Sequence, residues 1–582
     1  MPGSKVRYGS DLIVDLLHLY DIPYVSLNPG SSFRGLHDSL VNYGDNKPEM
    51  ITCQHEEIAV GIAHGYAKAT GKPMAAILHN VVGLLHGAMA IYYAYLDRVP
   101  VLILGAGGPM DVGRRRPRID WIHTALVQGN AVRDYVKWDN QPIGAAAVPD
   151  TFARGYRVMM TQPQGPVYLC YDAGFQEDPL EEEVEMPTKA RPFTHTLIQG
   201  DPAALRQAAE LLVEAEHPVI IADYLGRNPD AFHALVSLAE RLAIPVIDSN
   251  ARLNFPNRHP LNLSYVPGVL EEADLVLSLD VRDLYGPLTR LDKVTRRTEY
   301  ITPPNCKFVE IGLGDIEISK WSQDFQKFIQ TDISILADTA LAVPELQRQA
   351  EAVLARSNGR EARLKERAAQ IAARHEAAWK QWREDAKADW DQSPIGLGRL
   401  AAEVWEVIKD EDWVLTANTL EEWALKTWDF DKPYRHPGKA LGTATQIGIS
   451  LGVALAHRGT GKLVVDIQPD GDLMFDAGAL WIAAHDRIPL LVVMYNNRAY
   501  YNDWEHQIRM AQQRGTDEAR AYIGMEIGRP APDFATLAKA MGWYAEGPIE
   551  NPNDIRAAVE RAKRVVLDEG RPALVDTITQ FR

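Results

Sequence analysis

Three α/β units, each a doubly wound parallel sheet, are predicted from three observations. Short apolar runs rich in Val, Ile and Leu recur along the chain and alternate with helical patterns, the mark of buried parallel strands. The chain has 582 residues, too many for one hydrophobic core and suited to about three domains. An acidic, proline-containing stretch at 177–192 and an Ala-, Arg-, Glu- and Gln-rich stretch at about 345–393 divide it.

The first unit, residues 1–180, has strands predicted at 24–27, 75–78, 99–104 and 167–169, each followed by a helical pattern. The second, residues 193–345, has them at 218–221, 244–247, 273–277 and 307–311. Residues 346–392 read as helices and a linker wrapping the surface. The third unit, residues 393–582, has strands predicted at 413–415, 463–467, 490–495 and 573–575. No solenoid-period repeat or low-complexity tract is present.

Composition narrows the function classes. Apolar content is 46% with a mean hydropathy of −0.22, and no window approaches the roughly 20 apolar residues of a membrane helix. The first residues, Met1 to Arg7, lead directly into an amphipathic pattern without a signal-peptide core. Three scattered cysteines, Cys53, Cys170 and Cys306, suit a reducing compartment. A net charge of −17 argues against a nucleic-acid partner. The expectation is a cytoplasmic protein with a small-molecule substrate.

Chemistry concentrates in the third unit. Asp470-Gly471-Asp472 follows the run 463–467, and Tyr495-Asn496-Asn497 closes the next, with a helical stretch at 477–486 between them. A parallel crossover brings Asp470 and Asn497 to neighbouring strand ends, where open α/β sheets bind ligands. A carboxylate, an amide oxygen and the Ala499 carbonyl form a hard oxygen site suited to Mg2+ with places open for phosphate. An ordinary Asp-Gly turn beside an Asn-rich loop is the plain alternative.

The pattern resembles the diphosphate motif of the thiamine diphosphate (ThDP) enzymes, with Asn497 following Asp470 by 27 residues (497 − 470 = 27) and Pro469 in place of the usual first glycine. A second segment, Gln54-His55-Glu56-Glu57 followed by Ala63-His64-Gly65-Tyr66-Ala67, resembles the one that sets a glutamate against the pyrimidine ring of the cofactor. The resemblance implies that Glu56 activates the cofactor; a charged pair favouring a helix dipole is the other reading. It extends over the whole chain and points to the branch of acetolactate synthases, benzoylformate decarboxylases and 2-hydroxyacyl-CoA lyases. It implies pyrimidine-binding, central and diphosphate-binding domains, and active sites between subunits of a homodimer or dimer of dimers. Gly471, Asp472, Asn497 and Tyr500 would then contact the cofactor, and Ile447 would support its bent shape.

Substrate features divide. Asn28-Pro29-Gly30-Ser31-Ser32 and His79 resemble benzoylformate decarboxylases, with Ser31 meeting a substrate carboxylate and His79 relaying protons, though a hydrogen-bonded core histidine fits equally. Tyr501 resembles a tyrosine of the CoA-linked lyases, and Glu505 is a candidate base. Arg114-Arg115-Arg116-Pro117-Arg118 offers forks for phosphates such as those of coenzyme A, or is a solvated loop. Asp223-Tyr224-Leu225-Gly226-Arg227 has one glycine and no fingerprint, so FAD is not expected, and ADP or coenzyme A stays open. Two reactions follow: carbon-carbon cleavage or ligation at a 2-oxo acid, or cleavage of a 2-hydroxyacyl-CoA to formyl-CoA and a carbonyl compound.

Overall fold

A computed structural model describes residues 7–188, 195–316, 327–357, 359–442 and 444–581. Met1 to Val6, the end of the acidic connector and Thr443 lie outside these residues.

Three parallel sheets follow one another along the chain. The first contains β1 (Tyr24–Leu27), β2 (Glu49–Thr52), β3 (Met74–Leu78), β4 (Val101–Gly107), β5 (Trp138–Asn140) and β6 (Val167–Asp172), in the order β2-β1-β3-β4-β6-β5. The second contains β7 (Pro218–Ala222), β8 (Val246–Asp248) and β9 (Leu275–Leu279). After an antiparallel hairpin of β10 (Thr289–Leu291) and β11 (Thr298–Tyr300), it is completed by β12 (Lys307–Gly312) and β13 (Ile333–Leu336), in the order β13-β12-β9-β7-β8. The third contains β14 (Trp413–Leu415), β15 (Leu463–Pro469), β16 (Leu491–Asn496), β17 (Tyr544–Ile549) and β18 (Ala573–Ile578), in the order β14-β15-β16-β18-β17.

Central strands such as β3, β4 and β16 are buried along their whole length, because helices cover both faces of each parallel sheet. Besides the β10–β11 hairpin, the structure adds β2, β5, β13 and β17 to the strands read from sequence, and these four are edge strands of the parallel sheets. Their residues are partly exposed, so no continuous apolar run marks them. The stretch read as a linker is bound more tightly than predicted. Helix Arg360–Asp385 buries Leu364 and Ile371 in the core of the second unit. Its Arg367 donates to the carbonyls of Leu242 at 2.6 Å, Ala243 at 2.9 Å and Ala215 at 3.1 Å.

The first and third units share one apolar core. Helices Glu56–Thr70 and Gln446–Ala456 cross there with almost no space between backbones: a Cβ on Gly65 would lie 2.0 Å from the Ile449 carbonyl oxygen. That crossing fixes how the C-terminal strand ends of the two sheets are placed.

Candidate functional site

The third sheet places its chemistry at consecutive strand ends. Pro469 closes β15, pairs in register with Tyr495, and is the N-cap of a short helix, Asp470–Phe475, that sequence did not reveal. Asp470 Oδ2 accepts the Ala499 N–H at 3.2 Å, and Asn497 Oδ1 accepts the same N–H at 3.0 Å. Two side-chain oxygens therefore converge on one point beside the Ala499 backbone. Gly471 has to be glycine: a Cβ there would sit 2.8 Å from the Tyr500 ring. Asp472 accepts the Ala444 N–H at 2.7 Å and a Gln468 amide hydrogen at 3.2 Å. Burial raises the carboxyls of both acids above the usual range, that of Asp470 to about 6.

These residues line a cavity of about 340 Å3, whose lining includes Asp470, Gly471, Asp472, Asn497, Ala499, Tyr500 and Tyr501. The loop after β14 adds Asn418 and Glu421 to the lining, and there Leu420, Glu421 and Glu422 have φ values of 52°, 49° and 71°. Three successive non-glycine residues in the left-handed region are costly, and such strain collects at ligand sites. Nothing in their residue types signals it.

Two of the predicted residues are not on the cavity wall. Ile447 lies in the shared core, fully buried in the first turn of its helix, and the apolar wall at that level is Leu441. Glu505 is turned to Arg509, 2.8 Å away and one helical turn on, and the acid of this helix on the cavity wall is Asp503. Tyr501 stacks on Phe581 at 4.4 Å.

The first sheet gathers a second cluster at the ends of β1, β2 and β3, where its strand order reverses. Glu56, 3% exposed at the start of its helix, accepts from Asn28 Nδ2 at 3.2 Å and lies 3.2 Å from His86 Nδ1. His55 stacks on His86 at 5.0 Å. Burial lowers the His55 imidazole, opposed by the charge of Glu56. His79 follows β3, and Gly30 approaches it so closely that a Cβ would be 2.6 Å from the ring. Ser32, not Ser31, binds His79: its hydroxyl is 2.8 Å from Nδ1 and accepts the Asn80 N–H at 3.1 Å. The Ser32 N–H also points at Nδ1, at 3.4 Å, so Nδ1 accepts and Nε2 carries the ring hydrogen. Burial, then the nearby His123, lowers the His79 imidazole. Exposed Ser31 accepts from Arg116 at 3.4 Å. His86 and His123 were not anticipated, and Asn28 and Arg116 were read from their motifs without these partners, because the four lie on separate strand ends and helices.

The two clusters lie in domains with known relatives. Residues 7–117 match the N-terminal TPP binding domain of thiamine pyrophosphate enzymes, residues 205–346 the central domain and residues 419–577 the C-terminal TPP binding domain. The chain belongs to the thiamine pyrophosphate enzyme family. It is 25% identical to a probable chloroplastic acetolactate synthase 2 of Oryza sativa over 95% of its length and 81% of that protein. It is 24% identical to the acetolactate synthase large subunit of Haemophilus influenzae, covering 96% and 92% of the two chains. Its fold matches a putative thiamin diphosphate-dependent enzyme from Mycobacterium smegmatis (TM-score 0.75, 20% identity, 99% and 100% coverage) and a benzoylformate decarboxylase from Polynucleobacter necessarius (0.75, 18%, 99% and 99%). It is accordingly a ThDP enzyme acting on carbon-carbon bonds.

The residues present suit that cofactor: an oxygen-only donor set for a hard cation and a glycine cradle beside it in the third unit, and a buried carboxyl held by Asn28 in the first. In the second unit, a cleft of about 530 Å3 lies at the ends of β7, β8 and β9. Gly226 packs against the Leu253 carbonyl, where a Cβ would be 2.0 Å away. Among the described residues, no helix is long and apolar enough to cross a membrane.

Proposed function

We propose that this chain is a Mg2+- and ThDP-dependent lyase that cleaves, and in reverse ligates, the bond next to the carbonyl carbon of a free 2-oxo acid. The observation that carries this reading is the cluster at the ends of β1 to β3, where Ser31, Ser32 and His79 adjoin the carboxyl of Glu56. A Cβ on Gly83 would touch both Glu56 Oε1, at 3.0 Å, and His79 Cβ, at 3.1 Å. Asp470, Asn497 and the Ala499 carbonyl would hold the cation, and Gly471, Asp472 and Tyr500 would face the diphosphate. When bound, the cofactor supplies a carbon nucleophile and an electron sink for the adjacent carbonyl.

The chain's own groups do the rest. Asn28 and His86 orient the Glu56 carboxyl, the group that would hydrogen-bond the pyrimidine of the cofactor. His79 presents Nε2–H, the group suited to giving and taking a proton at the reacting carbon. Ser31 orients the substrate. The acetolactate synthase relatives favour ligation as the physiological direction. The 2-hydroxyacyl-CoA reading draws less support, since Glu505 is paired with Arg509 and Arg114 with Asp178 at 2.5 Å.

Within one chain it is Glu57, not Glu56, that faces the third unit; burial and the charges of Asp476 and Asp472 push it to about 7. Glu56 makes its contacts inside the first unit. Each half-site adjoins exposed apolar side chains, Leu85 and Met89 beside Glu56 and Met474 and Phe475 beside Asp470. These features support active sites completed by a second copy, in a homodimer or dimer of dimers. Three buried, unpaired thiols support a cytoplasmic setting.

The test is a substrate panel with Mg2+- and ThDP-loaded protein, following CO2 release and acyloin formation from 2-oxo acids beside formyl-CoA release from 2-hydroxyacyl-CoA thioesters. Turnover of free acids is expected, with Glu56→Gln lowering it about 100- to 10,000-fold. Formyl-CoA release without CO2 would overturn the substrate assignment, and an unaffected Glu56→Gln the cofactor assignment.

A further inference from the structure

The segment after β4 reaches the Ser31–His79 cluster. Gly108 packs against Thr124 so closely that a Cβ would lie 2.3 Å from its hydroxyl. The chain between them returns through a single helical turn, Asp120–His123. This turn brings two groups to the cluster. His123 sets its ring edge-on to His79 at 5.7 Å. Asp120, 1% exposed, accepts from Arg116 three times: from the backbone N–H at 2.6 Å, from Nη2 at 2.8 Å and from Nε at 3.2 Å.

One edge of the Arg116 guanidinium is thereby pinned, and Nη2 also reaches Ser31 Oγ at 3.4 Å. Nη1 makes no hydrogen bond with the described residues. The neighbouring arginines have other tasks. Arg34 forms a two-point bond to Glu177, 2.7 Å on each arm, Arg114 binds Asp178, and Arg115 Nε donates to the Pro109 carbonyl at 3.0 Å. Arg116 is the member of the run aimed at the residues proposed for catalysis. Ser31 and Arg116 share a hollow of about 270 Å3. A planar guanidinium with one edge fixed presents its remaining donors at a set angle, the geometry that two-point binding of a carboxylate requires. Burial opposes ionisation of Asp120, but the Arg116 bonds and charge outweigh it and hold the carboxyl below the usual range, so the pair is a lasting fixture.

We infer that Arg116, positioned by Asp120, is the carboxylate-recognition residue of the substrate site, so that the acid group of a 2-oxo acid is held between Arg116 and Ser31. The inference rests on the reading of the preceding subsection and adds what selects the acid. Arg116 touches substrate; Asp120 is a positioning residue.

The test uses full-length wild type, Arg116→Gln and Arg116→Lys with Mg2+ and ThDP, comparing benzoylformate and pyruvate with their neutral counterparts, benzaldehyde and acetaldehyde. Cofactor loading is read from tryptophan fluorescence, and acid affinity from KM or, without turnover, from fluorescence titration. Loss of one charged hydrogen-bond partner predicts a 10- to 100-fold weaker hold on the acids in Arg116→Gln, by about the size of such a bond. Cofactor loading and aldehyde-to-aldehyde ligation, which has no carboxylate to recognise, should stay within about threefold of wild type. Arg116→Lys should recover part of the acid affinity. Acid affinity and aldehyde ligation falling together, neither changing, or a ThDP-loaded wild type without affinity for either acid would each overturn the inference. A wild type that takes up no ThDP would instead overturn the cofactor reading, and the inference with it.

Discussion

Asp97 and Asp470 are equally buried, each 1% exposed, yet their charges are handled in opposite ways. Asp97 joins the first unit to the second and is surrounded by partners of its own chain: the Arg252 guanidinium at 2.6 Å, the Lys68 ammonium at 2.7 Å and, at 2.8 Å, the His64 imidazole, which burial holds toward its neutral form. Burial disfavours its ionised form, but Arg252 and then Lys68 outweigh burial and hold the carboxyl far below the usual range. Asp470 has no such partner among the described residues; its hydrogen bonds come from backbone N–H groups, and burial raises it to about 6. A buried charge compensated inside the chain holds domains together, whereas one left uncompensated is prepared for a cation from outside.

The contrast breaks most visibly at Arg252. Arg252→Leu should leave Asp97 with Lys68 as its only charged partner among the described residues and lower the unfolding free energy at pH 7 by about 3–5 kcal/mol in a urea titration; a loss below about 1 kcal/mol would mean that Lys68 suffices alone. Asp470→Asn should do the reverse, leaving apoprotein stability undiminished while Mg2+-dependent ThDP affinity, measured by calorimetry, falls about 100-fold or more.

Acid sharpens the comparison next. Asp97 titrates below its unfolded value, so its contribution is fully present above about pH 4 and is lost as pH falls toward its folded value. Urea titrations from pH 5 to pH 2 should show an extra slope of up to about 1.4 kcal/mol per pH unit in wild type that Asp97→Asn lacks. The smallest effect is that of the metal alone. Mg2+ at a few times its dissociation constant should stabilise the wild-type apoprotein by about 1 kcal/mol in thermal melts, and Asp470→Asn not at all.

Legibility followed burial. Central strands were readable because both their faces are covered, so their sequences are continuous apolar runs. The edge strands β2, β5, β13 and β17 are half solvated and escaped that signal. In the site, residues adjacent in sequence to a recognisable motif, such as Asp470, Asn497 and Glu56, were legible. Direction of side chains was not. Ser32 holds His79, Asp503 lies on the cavity wall while Glu505 pairs with Arg509, and Ile447 packs in the core, because each direction depends on the turn by which a helix starts after its strand.

By itself, the sequence determined the three α/β units in order, the apolar runs that become inner strands, and the two motifs at strand ends, since each is a local pattern of period, burial and turn chemistry. The tertiary structure alone decided the rest. It forces Leu420-Glu421-Glu422 into a left-handed turn that their residue types do not favour, places His86 beside Glu56, and turns one arginine of a charged run toward Ser31 while tying its neighbours elsewhere. Those outcomes depend on which strand ends become neighbours, and strand order is set by packing between segments remote in the chain rather than by the residues next to them.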